Sequence, residues 1–247
     1  MVSQLERDFI RTILIKDETK TTRQTGGSIE TISIGEHKLK YTLKVHTFFD
    51  KSIEILVTSL GKADNKMPCF RLSIIPGGEA GLISLEKGKE CFLDNYDNSR
   101  DLVQVAYMIA KNKGAKTLKI TDNSKIYCPD KVYLSNLSFL TTGKTWYESI
   151  LDVYPAEDEN NELATMRKRA FENKWIDVAN NLLRKDIILP FSVKGIDINE
   201  PGSAMKVLSK AKNSKKFCNI FSTNISEIML SSDIINFKGK DWLLDIN

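Results

Sequence analysis

Through the first third of the chain, apolar and polar residues alternate with a period of two, and this pattern predicts strands. Leu39, Tyr41, Leu43 and Val45 fall on one side of the segment 38–49, and Lys38, Lys40 and Lys44 on the other. Further runs at 30–34, 52–60, 69–75 and 80–85 are separated by GEHK, Asp50–Lys51, GKADNKMP and PGGE, which have the composition of turns and loops. The expectation is an antiparallel meander, which CFL at 91–93 could extend. Ahead of it, Phe9, Ile13 and Leu14 share a helical face that KDETKTTRQTGG interrupts. Residues 1–27 therefore read as a short segment and a connector.

The period changes after the polar stretch 94–100. Leu102, Val105, Ala106 and Ile109 follow the spacing of one helix face, which Val103 and Ala110 widen. Asn98 or Ser99 can cap the start, and Gly114 supplies a left-handed stop. TLKIT at 117–121 is the next strand. NSKIYCPDKVY at 123–133 reads as a polar excursion, 134–140 as a helix, TTGK as a break, and TWYESIL at 145–151 as a further helix or a helix leading to a strand. The acidic stretch 155–162 is the expected domain boundary. Beyond it, Leu163, Met166, Ala170, Phe171, Trp175, Val178 and Leu182 predict one long helix over 162–185, with shorter helices at 203–212 and 214–231 and an apolar tail, KDWLLDIN. GKTW at 143–146 recurs as GKDW at 239–242, which reads as two similar turns that each dock a tryptophan. The order of elements places the chain in the α/β (α+β) class.

Composition adds limits. The 247 residues suffice for a core that needs no staples. No segment approaches the length of a membrane span, and the N-terminus is charged throughout. Cys69, Cys91, Cys128 and Cys218 match no zinc spacing; an even count could form two disulfides, but without an apolar leader segment they read as reduced core residues of an intracellular, cytoplasmic protein. The two histidines, His37 and His46, are too few for a metal site or a Ser–His–Asp triad, and no metal is expected. The net charge of +4 permits an anionic partner without requiring one. Lys206, Lys210, Lys212, Lys215 and Lys216, with the group Arg167–Arg169, could meet nucleic-acid phosphates, although such runs are usually solvated helix faces without interleaved aromatics.

A meander, a strand, a polar loop, a helix, a strand and an aromatic pair, Trp146–Tyr147, follow one another. This order resembles the GNAT acyltransferase superfamily. CFRLSII, LISLEKGKECFLD, KITDNSKIYC, LSFLTTGKTWYES and the closing GKDWLLDI extend the likeness to GNAT-like proteins of large nucleo-cytoplasmic DNA viruses. The resemblance implies a GNAT-like mixed, largely antiparallel sheet over 28–155, flanked by helices, with a mainly helical C-terminal extension over 156–247. It implies acetyl-CoA as cofactor, with Asn98, Ser99, Arg100 and Leu102 around its diphosphate. Tyr147 would protonate the leaving thiolate, and Glu86 would act as base toward an amine of a protein or small molecule. It also places the protein in host cytoplasm or a virion.

The residues depart from that pattern in one respect. The family's phosphate loop uses glycines so that backbone N–H groups at a helix start can approach the diphosphate. DNYDNSRDL has none, and it carries Asp94, Asp97 and Asp101 against the single Arg100. This weakens the expectation of acyl transfer and raises two alternatives: a non-catalytic GNAT-like protein with a binding, regulatory or virion role, and a nucleic-acid-associated protein using the basic C-terminal helices.

Overall fold

The structure, a computed structural model, describes residues 22–24, 27–34, 39–48, 50–59, 69–85 and 99–246, apart from 129, 159–160 and 191. The expected N-terminal segment with Phe9, Ile13 and Leu14, the GKADNKMP loop, the 91–93 extension, and Glu86, Asn98 and His37 lie outside the described residues. The protein is mixed α/β with a mostly antiparallel sheet. Two compact units divide the chain: residues 1–120 with 244–247, and residues 121–243. The division falls at Ile120/Thr121, so the 155–162 stretch expected as a boundary lies inside the second unit.

In the first unit, β1 (Thr22–Gln24), β2 (Gly27–Ile34), β3 (Leu39–Thr47), β4 (Ile53–Ser59), β5 (Phe70–Ile74) and β6 (Glu79–Leu85) pair in sequence order as an antiparallel meander. Alternation explains the core: Leu43, Val45, Ile55, Val57, Phe70, Leu72, Ile74, Ala80 and Leu82 are all buried. The β5–β6 turn needs Gly77 and Gly78, whose φ angles are 107° and 92°. β7 (Thr117–Thr121) then pairs with β6 in parallel, from Glu79↔Thr117 to Leu82↔Ile120. A parallel neighbour requires a crossover, and α1 (Ser99–Asn112) forms part of it. This helix packs on β5 and β6 through the face predicted from its periodicity, with Leu102, Val103, Val105, Ala106, Ile109 and Ala110 buried. Gly114, at φ 79°, ends it. The C-terminal residues rejoin this unit, where Ile246 N–H donates to Lys116 O at 2.7 Å.

The second unit opens with a hairpin of β8 (Lys125–Tyr127) and β9 (Lys131–Tyr133), which replaces the expected polar excursion. It continues through α2 (Leu134–Thr142), capped by Gly143 in the left-handed region, and a short 3-10 turn at Tyr147–Ser149. β10 (Tyr154–Pro155) pairs antiparallel with β11 (Asp241–Asp245), the strand formed by the apolar tail. Between them lie α3 (Glu162–Glu172), α4 (Trp175–Leu183), α5 (Ser203–Lys212), α6 (Phe217–Phe221) and α7 (Ile225–Ser231).

The single helix expected over 162–185 is therefore two. Leu163, Met166 and Ala170 share one buried face, as do Trp175, Val178 and Leu182. The five-residue step from Ala170 to Trp175 fits no helical face, and Phe171, which seemed to fill it, is 53% exposed. The break is held from outside: the Trp175 N–H donates to the Ser203 hydroxyl at 2.8 Å, and Asn173 O accepts from Ala204 N–H at 3.2 Å. The helix expected over 214–231 likewise divides into α6 and α7. The tetrapeptide echo holds in geometry, since Gly143 and Gly239 have φ angles of 74° and 76°. Trp242 is buried, while Trp146 is half-buried and meets the Tyr147 ring edge-on at 4.9 Å.

Cys69, Cys128 and Cys218 are disulfide-bonded, contrary to the expectation of reduced core residues. Cys128, in the β8–β9 turn, is bonded to Cys218 of α6, and their Cα atoms are 5.2 Å apart. Cys69 is also disulfide-bonded, to a partner outside the described residues. Widely spaced cysteines cannot disclose such pairing, because it depends on a fold that brings distant residues together. No helix among the described residues is long and apolar enough to cross a membrane.

Candidate functional site

The second unit encloses a nest of polar side chains around Asp122. The residue is pinned where the chain leaves β7: its N–H donates to Lys240 O at 2.8 Å, and its carbonyl accepts from Gly239 N–H at 2.7 Å. One residue earlier, the Thr121 hydroxyl donates to the Asp241 carboxylate at 2.6 Å. These bonds hold the Asp122 side chain inward, fully buried. α2 contributes Ser135, which is buried and accepts from Trp146 N–H at 3.2 Å. β11 contributes Trp242, and the 3-10 turn contributes Tyr147.

The wall of the nest is apolar. Phe139, Phe237 and Trp242 stack in series, with ring centroids 4.8 and 6.2 Å apart. Asn136 locks α2 to this wall, since its Oδ1 accepts from Phe237 N–H at 2.9 Å and its Nδ2 donates to Asn236 Oδ1 at 2.9 Å.

Within this wall, burial raises the Asp122 carboxyl to about pKa 7. The Ser135 hydroxyl, the Trp242 indole N–H and the Ser124 backbone oppose that rise. They do so by proximity, because neither carboxylate oxygen and not the Trp242 Nε1 has a partner at hydrogen-bonding geometry. Near but misaligned donors cannot offset the loss of water. Tyr147 is only 3% exposed, and its hydroxyl lies 2.6 Å from the Ser124 hydroxyl. Burial drives its pKa well above the ordinary phenol value; Ser124 opposes this and the Asp122 charge adds to it.

The predicted site residues separate accordingly. Tyr147 lies in the nest. Ser99, Arg100 and Leu102 belong to the first unit, at the start of α1. Arg100 is exposed, whereas the Leu102 side chain is core, so only its backbone could face a diphosphate. Asp122, Ser124, Ser135 and Trp242 escaped the sequence reading. An aspartate directly after the apolar strand TLKIT was the available signal, and nothing local to it reports burial.

The basic groups are largely engaged. Arg167 pairs with Glu148 and also donates from Nε to Gly143 O at 2.9 Å. Arg169 pairs with Asp233, Lys206 with Glu200, and Lys185 with Glu227. Arg167 and Arg169 would therefore meet phosphates in competition with these carboxylates. An open groove of about 840 Å³ runs beside α3 and α7, floored by Met166, Met229, Ile234 and Ile235 and edged by Glu162 and Asp233. Tyr147, Ser99, Arg100 and Leu102 are not among its described lining residues, whereas Arg169 is. Among the described residues no three of His, Cys, Asp and Glu could together hold a metal ion. Comparison with protein-family models, with curated proteins and with solved structures finds no match to this chain.

Proposed function

We propose that the chain is a GNAT-like protein that has kept the scaffold without acyl transfer, and that it works as a binding, regulatory or virion component. The element order supports the GNAT-like reading: a meander ends in β6, a crossover through α1 leads to the parallel strand β7, and α2 with its turn carries Tyr147. One observation carries the non-catalytic reading. An acid that protonates a departing thiolate must reach it through a direct hydrogen bond or one water. The Tyr147 hydroxyl is instead enclosed, shared with Ser124, and made a weaker acid by burial. The glycine-free approach to α1 agrees with this, since it offers carboxylates where a diphosphate needs N–H groups.

Calorimetry with acetyl-CoA tests the proposal. The expected result is no saturable heat at high micromolar ligand, and no release of free thiol from acetyl-CoA when a polyamine or a lysine peptide is added. Stoichiometric binding with thiol release that Tyr147→Phe abolishes would establish an N-acyltransferase instead. On the non-catalytic reading, Tyr147→Phe alters stability alone. It leaves Ser124 without its partner and costs about 1 kcal/mol, read as a melting point lower by a few degrees.

A further inference from the structure

The β8–β9 hairpin carries a face on which lysines and tyrosines alternate. Its register pairs Lys125 with Tyr133, Ile126 with Val132, and Tyr127 with Lys131. Side chains alternate across a strand, so directly opposed residues share a face. Val132 is buried and Ile126 half-buried, which places this pair toward the protein. Both remaining pairs therefore occupy the opposite face, and each joins a lysine to a tyrosine with the order reversed between them.

Tyr127 is 72% exposed, and the Lys125 ammonium stands 5.9 Å from its ring centroid. Tyr133, beside the start of α2, is half-buried, with the Lys238 ammonium 5.3 Å from its ring centroid. Lys125, Lys131 and Lys238 are all exposed, and no ion pair among the described residues engages them. The disulfide joins the hairpin tip to Cys218, two and three residues beyond the exposed Lys216 and Lys215. The far end of the basic cluster is thereby brought beside the hairpin.

We propose that this face binds single-stranded nucleic acid, with Tyr127 and Tyr133 stacking on bases and Lys125, Lys131 and Lys238 meeting phosphates. Sequence-tolerant binding of single strands needs cations along the backbone and aromatic faces for unpaired bases, and the checkerboard supplies both within one small ribbon. Diagonal positions on paired strands lie about 7–8 Å apart, so each ring can take its own base. A duplex hides its base faces and would leave the tyrosines unused. An anionic membrane would meet the lysines, but the hairpin tip carries the carboxylate of Asp130, which such a surface repels. Asp130, exposed in the turn, is the one carboxylate among the described hairpin residues.

Fluorescence anisotropy with a labelled oligothymidylate of about 16 nucleotides, a length covering one binding fold's footprint, provides the test. Three phosphate contacts predict that log K falls against log salt with a slope of about −2. Tyr127→Ala should weaken binding about tenfold, and Tyr127→Phe should restore it. Lys131→Gln should reduce the slope by about 0.7. Both positions are exposed, so the variants should fold, and circular dichroism checks that they do. The proposal is overturned by absence of binding at low salt, by equal affinity for a duplex of the same length, or by an unchanged Kd in Tyr127→Ala. It is overturned equally if phosphatidylserine vesicles, and not the oligonucleotide, lose binding in that variant.

Discussion

Raising the pH from 4.5 to 7.5 should remove several kcal/mol of stability from the native chain that Asp122→Asn does not lose. The Asp122 carboxyl titrates near the ordinary 3.8 in the unfolded chain and at about 7 in the folded one. Between those values the folded state holds a proton that the unfolded state has released. Stability therefore falls as pH rises through the window, is fully present below about pH 4, and levels off above about pH 7. The displacement amounts to about 4 kcal/mol, or a melting point lower by on the order of 10 °C for a chain of this size. Asparagine has nearly the same shape and carries no charge at any of these pH values. Its amide oxygen lies near the Ser135 hydroxyl and the Trp242 indole N–H, as the carboxylate does, and needs no charge to be desolvated. The variant should match the native chain near pH 4 and melt well above it at pH 7.5. Asp50, whose carboxyl is held below the ordinary range by Ser52, acts with the opposite sign but is common to both proteins and cancels in the comparison. A native-to-variant difference that is the same at both pH values would show that Asp122 is neutral, or charged, throughout.

The contrast between Asp122 and α1 indicates what could be read from the chain. The burial of α1 is periodic and local: six apolar residues lie on one face, and a glycine at the end supplies a positive φ. The meander was legible for the same reason, since its alternation of apolar and polar residues sets which face of each strand is buried. The split between α3 and α4 was written in the five-residue step from Ala170 to Trp175, which Phe171 obscured, because apolar identity alone does not tell an exposed phenylalanine from a buried one. The β8–β9 hairpin escaped because strands of three residues leave one inward side chain each, Ile126 and Val132, too few to establish a period. The polar nest was invisible for a different reason. Asp122 owes its burial to Gly239, Lys240 and Trp242, more than a hundred residues away, and no local pattern encodes that meeting. Tyr147 was singled out from element order. Its burial and its Ser124 partner, on which its chemistry depends, are again products of tertiary packing.

The Cys128–Cys218 bond should contribute to stability on a scale comparable with Asp122, and replacing both cysteines with serine should reveal it. A cross-link stabilises chiefly by restricting the unfolded chain, and more so for longer loops. This one closes a sequence separation of 90 residues, for which chain entropy gives roughly 4.6 kcal/mol and a fall in melting point on the order of 10 °C. The loop holds α2 to α5 and the Phe139–Trp146 region, so the second unit should account for the loss. The double serine variant is preferable to a reductant, because Cys69 is also disulfide-bonded and a reductant would open both bonds together. It also leaves no lone thiol to pair elsewhere. Proteolysis should report the same effect by site: cleavage in the turn around Asp130 and in the segment 213–217 should accelerate in the variant, since the bond ties the one to the other. An unchanged melting point in the serine variant would remove this bond from the account of stability. Alkylation of Cys128 and Cys218 in the native, unreduced protein would show that the bond is not formed in solution.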